Sequence, residues 1–176
     1  MSFPLRTARL EIRPFMEADV DAAHRVYGDA EVMRWVGEGR PVTREETAAM
    51  LRGYVEHQTE HGYAFWAVVE RGTGELIGDA GLEHTEHGLE LGYTLARNAW
   101  GRGLATEAAR AVVDAARGPL RRDRLVALAD LGNPGSARVL EKVGFTPGPI
   151  ETAYGRPHRR FALDLRSADV LSPPAS

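Results

Sequence analysis

The chain contains no cysteine. That absence excludes a disulfide framework and a thiolate metal site, and it removes cysteine as a covalent carrier of a transferred group. Long hydrophobic runs are missing too. The longest unbroken apolar stretch, Ala64-Phe65-Trp66-Ala67-Val68-Val69, is far too short to cross a bilayer. The first residues, Met1-Ser2-Phe3-Pro4-Leu5-Arg6, lack the apolar core of a signal peptide. Neither sign of charge is in large excess: the net charge is −3, which speaks against nucleic acid as the main ligand. One basic cluster, Arg121-Arg122-Asp123-Arg124, stands just before an expected strand and reads as a solvated connection. His84 and His87 are not at a metal-binding spacing, so no metal is expected. These absences together give the expectation of a cytoplasmic protein, with neither a membrane nor a nucleic acid as partner.

What is present suits a single domain. The 176 residues are 43% hydrophobic and 27% charged, enough for a sizeable core under an ordinary surface. No repeat, linker or low-complexity segment divides them. The domain is expected over residues 1–167, and the tail 168–176, with Ser172-Pro173-Pro174, is expected to be disordered.

Alternation predicts a first strand over residues 10–15, with Pro14 marking an edge or its end. Val20, Ala23, Val26 and Tyr27 have helical spacing within residues 18–27. Thr43-Arg44-Glu45-Glu46 fits a capping box, opening a helix to about residue 59. An antiparallel meander follows, with strands at 65–70, 75–82 and 89–95 around the turn Arg71-Gly72-Thr73-Gly74. A helix is expected over 104–117, stopped by Gly118-Pro119. Residues 124–129 are almost wholly apolar, as in a strand buried on both faces. Asn133-Pro134 is an N-cap followed by proline at the first helical position, and this helix ends at Gly144. Closing strands are expected at 145–151 and 159–165. Strand, helix and strand from 89 to 129 make a βαβ crossover, so those two strands are parallel in an otherwise antiparallel sheet.

The most informative stretch is the junction of the 89–95 strand with Arg97-Asn98-Ala99-Trp100-Gly101-Arg102-Gly103-Leu104-Ala105-Thr106-Glu107-Ala108. A strand runs into a turn with two glycines that opens directly into an alanine-rich helix. Such a turn presents unpaired N–H groups where the helix dipole favours an anion. Glycines at 101 and 103 let the backbone approach a ligand and permit positive φ. Amides from 101 to 105 can then face a phosphate group, with Arg102 as an added cation. A dinucleotide-binding turn is the competing reading, since Asp130 ends the next strand. Against it, Gly101-x-Gly103-x-x-Thr106 lacks the third small residue, and its strand is the fourth of a meander rather than the first of a doubly wound sheet.

Here the chain resembles a GNAT-superfamily N-acetyltransferase, and more narrowly the RimJ/RimL-like group of ribosomal-protein N-terminal acetyltransferases. The resemblance rests on Thr7-Ala8-Arg9-Leu10-Glu11-Ile12-Arg13-Pro14, Asp29-Ala30-Glu31-Val32-Met33-Arg34-Trp35, Gly78-Asp79-Ala80-Gly81-Leu82 with Leu91-Gly92-Tyr93, the segment from Trp100 to Ala108, and Asn133-Pro134-Gly135-Ser136-Ala137-Arg138-Val139-Leu140-Glu141-Lys142-Val143-Gly144-Phe145. It spans about residues 5–165 with the motifs in the family's order. It implies a mixed α/β fold, a mostly antiparallel central sheet flanked by helices with one parallel βαβ crossover (the GNAT acyl-CoA N-acyltransferase fold). It also implies acetyl-CoA as cosubstrate, no metal, and an amine acceptor, either a protein N-terminus or a small molecule. A homodimer is compatible with it.

By the same resemblance, the cofactor lies along Tyr93, Leu95, Asn98, Trp100, Gly101, Arg102, Gly103, Leu104 and Ala105, and along Asn133, Ser136, Arg138 and Lys142 on the later helix. Asn98 departs from the longer side chain of the family pattern. Asn133 would bond the pantetheine arm, a role compatible with plain N-capping. Many family members carry at the Leu140 position a tyrosine that protonates the leaving thiolate. Leucine cannot do so, and the resemblance makes Ser136 the proton donor or hydrogen-bond partner of the thiolate, for which an inert early-helix serine is the alternative. Arg138 and Lys142 lie one turn apart and either flank the adenosine phosphate or form a solvated face.

The implied reaction is attack by a neutral amine on a thioester carbonyl. An α-amine with pKa about 7.7–8.0 is roughly a tenth to a fifth neutral at pH 7, a lysine on the order of 0.04%, so a base or a desolvating site is required. Without a thiol carrier, direct transfer in a ternary complex is expected. Glu90 is the first candidate base, at a position where the family often has an acid. It shares a strand face with Gly92 and Thr94, opposite Leu91, Tyr93 and Leu95, and which face meets the acceptor stays open. Asp79, Glu83, His84 and Glu151 are the alternatives. N–H groups near Gly92 and Tyr93 can serve an oxyanion if that strand is kinked. Trp35 is the first choice for acceptor contact, among Tyr63, Trp66 and Tyr154, with Trp66 expected in the core. The competing class is a non-enzymatic CoA-binding or regulatory module that kept the turn and lost its acid–base groups.

Overall fold

The chain opens with a two-residue strand, Leu5–Arg6 (β1), paired antiparallel to Leu10–Arg13 (β2), in a computed structural model that describes residues 1–166. The tail expected at 168–176 lies outside the described residues. β2 stops before Pro14 because proline has no N–H for the next ladder bond, so the strand expected over 10–15 is shorter. Phe15 leaves the sheet and is buried among helical side chains.

Three helices follow: Val20–Tyr27 (α1), Ala30–Met33 (α2) and Arg44–His61 (α3). The capping box of α3 is formed as expected, with the Thr43 hydroxyl accepting from the Glu46 N–H at 3.1 Å and the Glu46 carboxylate accepting from the Thr43 N–H at 2.7 Å. Then come Phe65–Glu70 (β3), Glu75–Thr85 (β4), Gly88–Leu95 (β5), Leu104–Arg117 (α4), Arg124–Asp130 (β6), Pro134–Val143 (α5), Thr146–Ala153 (β7) and Arg156–Asp164 (β8). The strand entering the glycine turn is thus the fifth, not the fourth, because β1 precedes the expected first strand.

The strands form an eight-stranded sheet ordered β1-β2-β3-β4-β5-β6-β8-β7. Neighbours are antiparallel except β5 and β6, which the α4 crossover makes parallel. Alternation assigns the two faces. Trp66 and Val68 of β3, with Ala80 and Leu82 of β4 and Leu91 and Leu95 of β5, pack against α4 and α5. Ala67 of β3 turns the other way, onto α1, α2 and α3. α4 commits one side to the sheet, with Leu104, Ala108, Ala109, Val112 and Ala116 fully buried. A leucine buried like Leu104 stabilises by roughly 1.5–3 kcal/mol.

β5 and β6 meet at one register pair, Glu90↔Val126. Beyond it β5 runs on to the turn before α4 and β6 to the loop before α5 without further pairing to each other. Among the described residues, no helix is long and apolar enough to cross a membrane, and no group of three or more His, Asp or Glu is arranged to hold a metal ion.

Candidate active site

The turn after β5 is built to expose its backbone. A short 3₁₀ turn, Arg97–Ala99, follows the strand, and the Trp100 indole N–H donates to the Leu95 carbonyl at 2.8 Å, closing the strand end. Gly101 and Gly103 have φ of +70° and +77°, a region where side chains with a Cβ are strained. Nothing lies within 4 Å of where a Cβ on Gly101 would sit, and on Gly103 only the Arg9 guanidinium comes as near as 3.5 Å. Gly103 is the N-cap of α4 and supplies no side-chain bond to the first turn. The first N–H groups of a 14-residue helix therefore face an open approach with the positive end of the dipole behind them.

The turn is braced from behind. Arg9 donates to the Arg102 carbonyl at 2.8 Å and pairs with Glu107 at 2.7 Å, while the Thr7 hydroxyl donates to Glu107 at 2.6 Å. The Arg102 guanidinium is occupied by Glu70, so what Arg102 offers to the open side is its main chain. Leu104 is fully buried and likewise offers only its amide. Asn98 is exposed and Ala105 partly so. Sequence reasoning missed Arg9 and Glu107 as supports, since they come together across 98 positions.

At the other lip, Asn133 caps α5, its side-chain oxygen accepting from the Ser136 N–H at 3.3 Å. The Tyr93 hydroxyl reaches across from β5 and lies 3.0 Å from both the Ser136 carbonyl and the Ser136 hydroxyl. Burial pushes the Tyr93 phenol up to about 12, against the opposing effect of the Ser136 bond. Leu140 is 1% exposed and belongs to the core. Arg138 and Lys142 are exposed on α5, and Arg110 of α4 joins them by donating to the Lys142 carbonyl at 3.0 Å.

The opposite face of β5 is acidic. Glu90 stands directly across from Glu83 of β4. Burial first, and the Glu83 charge second, push the Glu90 carboxyl up to about 7. Asp79 is 3% exposed. It accepts a hydrogen bond from Tyr27, its second oxygen has no partner among the described residues, and burial pushes it up to about 7 as well. Glu151 is engaged by His87 at 2.7 Å and Arg160 at 3.4 Å, and His84 is exposed. Between Glu83 and Asp79 the sheet has glycines on both strands, Gly81 opposite Gly92, and a Cβ on Gly92 would sit 2.9 Å from the Phe65 ring. The exposed Tyr154 lies close enough for the charges of Glu83 and Glu90 to raise its phenol, after burial. The β4–β5 register runs without a shift from Gly78↔Leu95 to Thr85↔Gly88, so no bulge interrupts that pairing at Gly92.

Trp35 packs its ring on Gly132 of the β6–α5 loop, where a Cβ would come within 2.6 Å of it. Arg156 fastens the same segment, donating to the Arg34 carbonyl at 2.6 Å and the Gly37 carbonyl at 3.0 Å and pairing with buried Asp130 at 3.0 Å. Of the other aromatic candidates, Trp66 is in the core as expected, and Tyr63, 7% exposed, joins it.

A sequence profile of the acetyltransferase (GNAT) domain matches residues 9–146. The uncharacterized N-acetyltransferase YoaA of Bacillus subtilis (strain 168) is 30% identical over 156 residues, 86% of this chain and 88% of that protein. A GNAT-family acetyltransferase from Bacillus anthracis superposes with a TM-score of 0.82 at 22% identity, over 94% of this chain and 100% of that one. RimL, a ribosomal L7/L12 alpha-N-protein acetyltransferase in complex with coenzyme A, superposes with a TM-score of 0.77 at 20% identity, over 92% and 98%.

Proposed function

The chain belongs to the GNAT acetyltransferase family, and from that premise we propose that it moves an acetyl group from acetyl-CoA directly to a primary amine, with both substrates bound together. The observation that carries this reading is the uncapped start of α4 behind two positive-φ glycines, open on its outer side. Amides of residues 101–105 would hold the diphosphate there by charge-assisted hydrogen bonds. The pantetheine arm would run between the ends of β5 and β6, past Tyr93, Leu95 and Trp100, with Asn133 at its side. Arg138 and Lys142, with Asn98 at the turn, flank the outer phosphate end.

The thioester then lies between Ser136 and the acidic face. Glu90 is the base: at about 7 its carboxyl is ionised in a useful fraction at neutral pH and still takes a proton readily. The amine nitrogen attacks the carbonyl carbon, its proton goes to Glu90, and the C–S bond breaks with its electron pair on sulfur, where Ser136 offers a hydrogen bond. With no cysteine in the chain, no thiol carrier intervenes. Trp35 would contact the acceptor. A protein α-amine is the favoured acceptor class, supported by the likeness to RimL, with a small amine as the alternative. A thiol-release assay with acetyl-CoA against small amines and N-terminal peptides tests this: stoichiometric acetylation of at least one amine is expected. Tight coenzyme A binding with no turnover on any acceptor would overturn it.

A further inference from the structure

The hydroxyls of Tyr93 and Ser136 form a pair whose direction matters. Tyr93 has one hydroxyl hydrogen and two acceptors at equal distance, the Ser136 carbonyl and the Ser136 hydroxyl oxygen, each 3.0 Å away. When the phenol donates to the carbonyl, its own oxygen can accept the serine hydrogen, and a serine engaged in that way has none left for a ligand. When the phenol donates to the serine oxygen, the serine hydrogen is released for a ligand. The two arrangements differ only in the placement of two hydrogens, so no heavy atom moves. Tyr93 packs against the core on the α4 side, its phenol stays protonated across the working pH range because burial holds it up near 12, and Leu140 contributes no polar group beside it.

We propose that Tyr93 is a positioning residue that frees and aims the Ser136 hydroxyl at the departing thiolate. The inference rests on the assignment of Ser136 under the proposed function and adds the group that makes that serine a donor. The balance is simple. The C–N bond forms, the C–S bond breaks with its pair on sulfur, and the amine proton goes to Glu90. Neither hydroxyl loses its proton; each donates one hydrogen bond, Tyr93 to Ser136 and Ser136 to sulfur. A hydrogen bond onto a developing charge strengthens as the charge forms, so the effect falls on kcat rather than on binding.

The test is a double-mutant cycle on the full chain, with kcat read in single turnover beside acetyl-CoA affinity. Ser136→Ala is expected to lower kcat by about 30-fold and Tyr93→Phe by about tenfold, each leaving acetyl-CoA affinity within about twofold, the scale of one hydrogen bond to a charged group. The double variant should be no slower than Ser136→Ala alone, because Tyr93 acts only through the serine. Ser136→Thr, which keeps the hydroxyl, should keep the dependence on Tyr93. Replacing Tyr93 by 3-fluorotyrosine keeps the ring in place while making the phenol a stronger donor, and should raise kcat. A Tyr93→Phe enzyme with unaltered kcat, losses that multiply in the double variant, or a fluorinated enzyme that is no faster would overturn the inference while the wild type still turns over. A wild type that acetylates no amine would instead sink the proposed function beneath it.

Discussion

Replacing Glu90 with glutamine keeps the shape of the side chain and removes its charge and its titration. In the wild type the carboxyl sits at about 7, displaced from an ordinary 4.5 by burial and by Glu83. The ionised fraction is therefore on the order of a tenth at pH 6 and half at pH 7. Losing a general base costs about 10²–10⁴-fold, and the deficit should grow from about pH 6 to about pH 8 as Glu90 ionises. Neutral amine rises about tenfold per pH unit up to the acceptor's own pKa and then levels off, for both enzymes alike, so their ratio should follow the ionised fraction of Glu90 and level off above about pH 8. The limb near pH 7 should vanish from the variant's kcat/KM profile. Stability should move the other way. A carboxyl raised on folding is better protonated in the folded chain, so its penalty is absent below pH 4.5, sets in between 4.5 and 7, and is complete above 7. Removing it should stabilise the protein at pH 8 by about 1–2 kcal/mol, after discounting for solvent screening, and change nothing at pH 4. Chemical denaturation at both pH values and kcat/KM from pH 6 to 9 decide it. A deficit of constant size across that range, or none, removes Glu90 as the base.

Gly103→Val places a branched residue at φ +77°. It should destabilise by about 1–2 kcal/mol through backbone strain and weaken acetyl-CoA binding by about tenfold or more, the worth of a charge-assisted hydrogen bond; titration calorimetry showing unchanged affinity would contradict the phosphate role. Arg156→Ala leaves buried Asp130 with only His158 at 3.9 Å and the Gly132 N–H beside it, which should cost about 3 kcal/mol, the low end for breaking a buried pair. Because Arg156 also holds the Arg34 and Gly37 carbonyls, the acceptor KM should rise more than the acetyl-CoA affinity falls; a denaturant midpoint like the wild type's would show that the clamp bears no strain.

Local patterns were legible where one segment carries the whole signal. β3 and α4 fall on the residues that alternation and helical spacing mark, Thr43 and Glu46 make their capping box, and Asn133 caps α5. The β7–β8 strands fall within one residue of their expected outer ends but run further into the hairpin, because its turn is made by Tyr154 and Gly155, at φ of 51° and 71°, and tyrosine is not a usual signal for a left-handed turn. β1 was missed because two residues cannot show a period. The fold class was read through the resemblance, and the profile match and TM-scores agree with it. Within the candidate site, period-two alternation grouped Glu90 with Gly92 and Thr94 but could not say which helices cover them; that follows from β3, where Trp66 and Ala67 commit the two faces to different helices. The supports Arg9–Glu107 and Arg156–Asp130, and the Tyr93–Ser136 pair, join residues far apart in the chain, and no local spacing announces such contacts.

A crystal of this protein soaked with coenzyme A tests the central claim most directly. Diphosphate oxygens within hydrogen-bond distance of the main-chain amides of residues 101–105, with the sulfur reaching the Ser136 hydroxyl, are the expected result. A coenzyme bound elsewhere on the molecule, or a turn that takes up none at saturating concentration, would contradict it.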